Sequence, residues 1–478
     1  MGNETHSLAI ARIHSLLDAD SFVEIGGLVT ARNTDFNLAD TKTPSDGVIT
    51  GYGTAKGKLV YVYSQDVSVL NGTVGEMHAK KITGLYDLAM KTGAPVVGLL
   101  DCGGIRLQEA SDALNAFGGI YRKQAFASGV IPQITGIFGT CGGGMALIPA
   151  LADFTFMEAD DGKLFVNAPN TLDGNHVSKC DTAGAGFQSR ETGLIDGVGT
   201  AEEVIGRIRQ MVELLPSNNE DYLPYEECAD DLNRSCPGLE ECAKDTSSVL
   251  ARIADSRVFL ETKADYGKDV VTGFIRLNGN TVGCVANRKA VCDTDGTVKE
   301  DFAGVLSARG AKKAAEMVKF CDAFQIPILT LTDTAGFKAS KCSEKHMAKA
   351  VGRLTYAFAS ATVPKVNVIV GKAYGSAYVA MNSKSIGADM VYAWPSAEIG
   401  TMEASMAAKI MYPDADADTW REKTAQYQAL QSNVASAAAR GYVDTVIAPE
   451  DTRKYVIGAF EMLYTKREDR PGRKHGTV

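Results

Sequence analysis

Short apolar runs, rich in β-branched residues, alternate along this chain with longer stretches whose apolar positions recur at helical spacing. PVVGLLD (95–101) and QITGIFG (133–139) read as buried strands, as do PILTLTD (327–333) and KVNVIVG (365–371). Ala/Lys-rich segments of helical spacing, AKKITGLYDLAMKTGAP (79–95) and AKKAAEMVKFCDAFQIP (311–327), lead to a proline at the start of the first strand of each pair. A Gly-containing turn and a second helix ending at FAS come before the second strand. That strand runs into another glycine-containing turn and a third helix. Repeated strand–helix alternation predicts a largely parallel sheet covered by helices, an α/β fold.

The two sets of elements are one pattern written twice. At an offset of 232 residues, VVGLLDCGG (96–104) falls on ILTLTDTAG (328–336) and FASGVIPQITGIFG (126–139) on FASATVPKVNVIVG (358–371). TCGGGMALI (140–148) falls on KAYGSAYVA (372–380), so that Asp101 pairs with Asp333, Pro132 with Pro364 and Gly143 with Gly375. A shared offset over so long a stretch implies two homologous halves. Between them, LLPSNNEDYLPYEECADDLNRSCPGLEEC (214–242) is rich in proline and charge and poor in periodicity. The expected domains are therefore residues 1–218 and 243–478, with a linker over 219–242.

The stretch GTCGGG (139–144) places four glycines among six residues between a strand and a helix. Glycine is kept where backbone must come close to something, either a packing partner or a ligand. On the ligand reading, main-chain amides with no Cβ in the way approach an oxygen that is acquiring negative charge, and each such donor is worth roughly 3–4 kcal/mol in acyl chemistry. The turn recurs at the same place in the second half, which favours two such pockets.

Composition narrows the class. With 45% hydrophobic and 22% charged residues in 478, the chain is an ordinary globular protein of two to four domains. A net charge of -9 argues against nucleic acid or an anionic membrane as main partner. The opening MGNETHSLAIARIHSLL lacks the layout of a signal peptide, and His6 stands where a myristoylation site wants Ser or Thr. No run of about 18 apolar residues offers a membrane span. Ten scattered cysteines fit a reducing cytoplasm, and Cys228, Cys236 and Cys242 lack zinc spacing, so no metal is expected. His78, His176 and His346 form no metal spacing either and read as surface or supporting residues. TDTAGF (332–337) lacks the G-x-x-x-x-G-K-[ST] loop that phosphate binding needs, and no G-x-S-x-G supports a serine hydrolase. AMKT (89–92) resembles a biotin-acceptor site, yet Lys91 lies in a helical segment and reads as a helix-end cation.

DCGGIRLQEA (101–110), SGVIPQITGIFGTCGGGMALIPALADFTFM (128–157), RLNGNTVGCVANR (276–288), FCDAFQIPILTLTDTAGF (320–337), YAFASATVPKVNVIVGKAYGSAYVAMNSKSIGADMVYAWPSAEI (356–399) and ARGYVDTVIAPEDTR (439–453) resemble the biotin-dependent acyl-CoA carboxyltransferases. The resemblance is to the propionyl-CoA carboxylase β subunit and acyl-CoA decarboxylase α subunit type. It implies two tandem crotonase-like ββα superhelix domains, the first on the acyl-CoA side and the second on the biotin side. It implies a coenzyme A thioester as substrate, biotin on a separate carrier protein, no metal, and a homo-hexamer built as a trimer of dimers. A biotin carboxylase or a membrane decarboxylase subunit would be the further partner.

By the same resemblance, Gly143 and Gly144 hold a thioester enolate oxygen, and Ser376 and Ala377 hold the ureido oxygen of biotin. Gly104, Gly336 and Gly375 complete the two holes, and Val379 lines the pocket beside them. Arg106 and Glu109 read as structural partners, since the chemistry needs no side-chain base. The chain departs from the family pattern at Ser376, where relatives carry glycine, at Val379, where they carry aspartate, and in FKASKCSEKHM (337–347), NAPNTLDGNHVSKC (167–180) and MEASMAAK (402–409). The implied function is carboxyl transfer between carboxybiotin and a short acyl-CoA. The reverse transfer in a membrane-coupled decarboxylase and a non-catalytic scaffold are the alternatives.

Overall fold

Two dipeptides with paired positive φ angles set the edge of each half. Lys56-Gly57 (φ 52° and 76°) and Asn278-Gly279 (φ 49° and 74°) close two-residue hairpins in the manner of type I′ turns. The computed structural model describes residues 7–32, 38–221, 225–293 and 295–469. Two compact units divide the chain, Met1–Pro224 and Tyr225–Val478.

Among the described residues, the strands of the first unit are β1 (Val23–Ile25), β2 (Val48–Ala55), β3 (Lys58–Gln65), β4 (Val96–Cys102), β5 (Gln133–Gly142), β6 (Phe154–Glu158), β7 (Lys163–Phe165) and β8 (Gly197–Gly199). The sheet order is β1-β2-β3-β4-β5-β6-β8, with β7 also paired to β5. From β3 onward every pairing is parallel, whereas β1, β2 and β3 are antiparallel. The parallel part matches the alternation of strands and helices. The antiparallel edge was missed because hairpins carry no intervening helix to announce them; the Asn278-Gly279 dipeptide between two apolar runs is the signal that would have found one.

The second unit repeats this plan. Its strands are β9 (Phe259–Thr262), β10 (Val270–Leu277), β11 (Asn280–Asn287), β12 (Ala290–Cys292), β13 (Val298–Asp301), β14 (Ile328–Thr334), β15 (Lys365–Tyr374), β16 (Met390–Ala393), β17 (Glu398–Gly400) and β18 (Thr445–Val446). Their order is β9-β10-β11-β14-β15-β16-β18, with β17 on β15 and with β12 and β13 forming a separate ribbon. β2 and β3 map onto β10 and β11 at an offset of 222, while the next helix, the two central strands β4 and β5 and the turn after them map at 232. The ribbon β12–β13 accounts for the ten additional residues.

The helices Glu76–Thr92 and Ala308–Ala323 lie at the 232 offset, and each carries a buried lysine on its core side. Lys81 Nζ donates to the carbonyls of Ser45 and Val48; Lys313 Nζ donates to Lys263, Tyr266 and Val270 at 2.8, 3.1 and 2.8 Å. Each ammonium therefore ties a helix to the first residue of the inner hairpin. Apolar side chains fill the space between sheet and helices in both units, with Tyr63, Tyr86 and Phe156 fully buried in the first and Phe274, Phe358 and Trp394 in the second. Within 225–242, the Arg234 guanidinium donates to the carbonyls of Arg252 and Ala254 and to Asp230, and Cys236 N–H donates to Glu450. No helix among the described residues is long and apolar enough to cross a membrane.

Candidate active site

Parallel strands end in line, so the C-terminal ends of β4 and β5, and of β14 and β15, bring two backbone turns side by side in each unit. The register of β4 on β5 breaks between Leu100 and Cys102, and that of β14 on β15 between Thr332 and Thr334. Asp101 and Asp333 sit at these irregularities. Opposite them lie Gly139 and Gly371, where an added Cβ would come within 2.1 Å and 2.4 Å of the aspartate oxygens. Here the glycines serve close packing: the carboxylate occupies the space a side chain would take. Asp101 is bonded to the Arg12 guanidinium at 3.1 Å; Asp333 takes Lys289 Nζ at 2.6 Å and the Lys372 amide at 2.8 Å.

Four residues beyond Gly139 and Gly371 the strand gives way to a glycine of left-handed conformation. Gly143 has φ +59° and opens the turn Gly143–Ala146; Gly375 has φ +60° and opens the helix Gly375–Ala380. A Cβ on Gly143 would meet nothing within 4 Å, and one on Gly375 would meet only the Thr401 carbonyl, at 3.1 Å. The close-packing account that holds for Gly139 therefore fails at Gly143, which faces open space. Gly144 is fixed by Tyr121, whose hydroxyl donates to its carbonyl at 2.7 Å. On the neighbouring strand ends, Gly104 (φ +103°) and Gly336 (φ +141°) carry amides that donate locally to Cys102 Sγ at 3.3 Å and Thr334 Oγ1 at 3.4 Å.

Gly104, Gly143 and Gly144 thus cluster in the first unit, and Gly336, Gly375, Ser376 and Ala377 in the second. Val379 is 38% exposed on the short helix after its turn; its counterpart Leu147 is 45% exposed. Burial pushes the Cys102 thiol up to about 12 and raises the Cys141 thiol and the Tyr121 hydroxyl as well. These groups keep their protons at neutral pH.

Arg106 and Glu109 are fully and nearly fully buried, and Arg106 bridges Asp46 at 2.6 Å and Glu109 at 2.9 Å. The triad joins the turn after β4 to the approach to β2; the Glu109 carboxylate also accepts the Glu76 amide. His176 and His346 are exposed, but His78 is completely buried. Its ring lies 3.0 Å from the Asp46 carbonyl and 3.2 Å from Gln65 Nε2, a pattern that sets the neutral tautomer, and burial lowers its pKa to about 3. Lys91 is exposed in the last turn of its helix, as a helix-end cation should be.

Unforeseen in the sequence was the role of aromatic rings at the strand ends. In the β5–β7 pair Gly142 stands opposite Phe165, whose ring covers it; in the β15–β17 pair Tyr374 stands opposite Gly400. The 232 offset aligns Gly142 with Tyr374, a substitution visible in the alignment but meaningless until the pairing was known.

Two tandem α/β units, each ending its central parallel strands in a glycine turn, make this a crotonase-like fold. It superimposes on transcarboxylase 12S, a hexamer whose structure was solved with methylmalonyl-CoA bound, with a TM-score of 0.91 and 36% identity over 98% of this chain and 92% of that one. The propionyl-CoA carboxylase beta chain of Roseobacter denitrificans is 41% identical over 98% of this chain and 92% of its own length. The methylmalonyl-CoA decarboxylase subunit alpha of Propionigenium modestum is 40% identical over the same shares. The carboxyl transferase domain matches residues 3–478, and the chain belongs to that family, the biotin-dependent carboxyltransferases.

Proposed function

We propose that this protein moves a carboxyl group between carboxybiotin on a carrier protein and the α-carbon of a short acyl-CoA of the propionyl-CoA/methylmalonyl-CoA type. The observation that carries the reading is the pair of left-handed glycines, Gly143 and Gly375, at equivalent strand ends of the two units. A Cβ on Gly143 would meet open space and one on Gly375 a backbone carbonyl alone, which supports close approach of a thioester oxygen and of a cyclic urea oxygen to the backbone there. The first turn is the acyl-CoA side: the amides of Gly143 and Gly144 take the thioester oxygen as the α-proton leaves and charge develops. The second is the biotin side, where the amides of Ser376 and Ala377 take the ureido oxygen. A serine at 376 keeps its N–H, so the departure from glycine leaves the donor in place.

Gly104 and Gly336 leave room beside each turn, and their long local hydrogen bonds hold the neighbouring strand ends in shape. Val379 gives the second pocket an apolar wall where relatives carry a carboxylate. When bound, carboxybiotin supplies CO2 and then a basic ureido group that accepts the α-proton. Charge is thus neutralised at both ends by backbone, and no protein side chain has to change its protonation state.

Transfer in the opposite direction, from a methylmalonyl-CoA-type acid to biotin, uses the same two turns. It is favoured by the likeness to a decarboxylase subunit. A hexamer of this chain, working with a biotin carrier and either a carboxylase or a membrane partner, follows from the same likenesses. The test is a panel of acetyl-, propionyl-, butyryl- and crotonyl-CoA incubated with purified protein and a 14C-carboxylated biotin carrier. Label is expected in the propionyl thioester, and in biotin when labelled methylmalonyl-CoA is the donor; label in neither direction with any thioester would refute the reading.

A further inference from the structure

An aromatic residue stands in register with a glycine beside each of the two turns, on opposite strands of the pair. In the first unit the aromatic ring sits on the short strand, Phe165 of β7, and the glycine on the long strand, Gly142 of β5. In the second unit the ring sits on the long strand, Tyr374 of β15, and the glycine on the short one, Gly400 of β17. A Cβ on Gly142 would meet the Phe165 ring at 2.6 Å, whereas one on Gly400 would meet Ser432 Oγ at 3.3 Å, so the ring covers its cross-strand glycine in the first unit and points elsewhere in the second. The exchange has a chemical consequence, because the second ring carries a hydroxyl and lies immediately before Gly375.

That hydroxyl donates to Glu398 Oε2. Glu398 is itself in register with Lys372 on β15, and Lys372 Nζ lies 5.7 Å from the centre of the Tyr374 ring. On its other side Glu398 forms a bridge with Asn433. The segment that follows is fastened as well: the Thr401 carbonyl lies 3.1 Å from the position of a Gly375 Cβ, and Thr401 Oγ1 is 2.8 Å from the Tyr427 hydroxyl. The phenol of Tyr374 is only 2% exposed, and burial together with the Glu398 carboxylate raises its pKa, so it remains a neutral donor. The first turn has no counterpart to this bond, since Phe165 has nothing to donate.

Resting on the proposed function, we infer that Tyr374 and Glu398 are positioning residues for the second turn alone, aligning the Ser376 and Ala377 amides on the ureido oxygen. The phenol–carboxylate bond pins the last residue of β15 to β17, which removes the freedom of the chain to rotate just before Gly375. Donors misplaced by about 1 Å can cost about a hundredfold in rate, so a single rigid bond at this point matters out of proportion to its contribution to stability.

The experiment uses the full-length oligomer with free biotin as acceptor and 14C-carboxyl methylmalonyl-CoA as donor. Tyr374→Phe keeps the buried ring and deletes only the hydroxyl. It should lower kcat between about tenfold and a hundredfold and raise KM for biotin, with KM for methylmalonyl-CoA unchanged. Glu398→Gln, which keeps an acceptor oxygen, should recover much of the activity that Glu398→Ala loses. Wild-type kinetics in Tyr374→Phe, or a KM rise shared equally by both substrates, would overturn the positioning role. Should Tyr374→Phe fail to assemble, the Gln/Ala pair at 398 decides alone: equal kinetics in the two would refute the inference. A wild-type protein inert in both transfer directions would instead refute the proposed function, and this role with it.

Discussion

At the scale of single residues, the glycines near the strand ends are of two kinds, packed and open, and Gly143 is of the open kind. Gly139 and Gly371 are hemmed in by carboxylates, whereas Gly143 is left-handed and faces open space. Gly143→Val should therefore fold, at a cost of about 1–3 kcal/mol for a β-branched residue at positive φ, while its side chain fills the space in front of the amides. Turnover should fall by about a hundredfold or more with assembly intact; a fully active variant would remove Gly143 from the site. His78 supplies a second prediction. Buried and neutral, it refuses a proton until about pH 3, while in the unfolded chain it titrates near 6.5. Its contribution is complete above 6.5 and is lost as pH falls towards 3, because there the unfolded state binds the additional proton. Stability should drop over that window by about 1.4 kcal/mol per pH unit on this account, and His78→Gln should flatten the profile in denaturant melts. Nothing around His78 in the sequence marks it as buried: its partners are Gln65 and the Asp46 carbonyl, brought in by β3 and the approach to β2.

At the scale of elements, the bends at Asp101 and Asp333 decide where the two turns fall. Asp333 takes the Lys372 amide, three residues before Gly375, so the bend and the turn are one mechanical unit. Gly371→Ala should force the new methyl against the carboxylate, displace that hydrogen bond and cost about 1–3 kcal/mol by overpacking. Thermal denaturation should register the loss, and carboxyl transfer should decline with it; an unchanged Tm would mean that the aspartate has room to move aside. The strands and helices around these bends were legible from β-branched runs, prolines and helical spacing. The hairpins β2–β3 and β10–β11 were not, because the ten residues of the β12–β13 ribbon shift their offset to 222 and break the alignment that revealed the rest. Nor was the exchange of Phe165 for Tyr374, since a ring's meaning depends on which strand lies beside it.

For the whole molecule, the duplicated plan supplies two related but unlike glycine turns, one in each unit. The likeness to a hexameric transcarboxylase leads to an expected solution mass of six times the 50.8 kDa chain, read by light scattering. A monomer of full activity would contradict that assembly. By itself the sequence determined the duplication, the α/β class and the placing of the glycine turns, because these are written in local periodicity and in residues whose backbone freedom is intrinsic. It also carried the family motifs in unbroken blocks. Only the tertiary structure decided which glycines are packed and which are open, why Lys81, Lys313 and the Arg106 triad are buried, and how each turn is braced. Those outcomes depend on strand register and on partners tens of residues apart, and a chain reveals such neighbours only once it has folded.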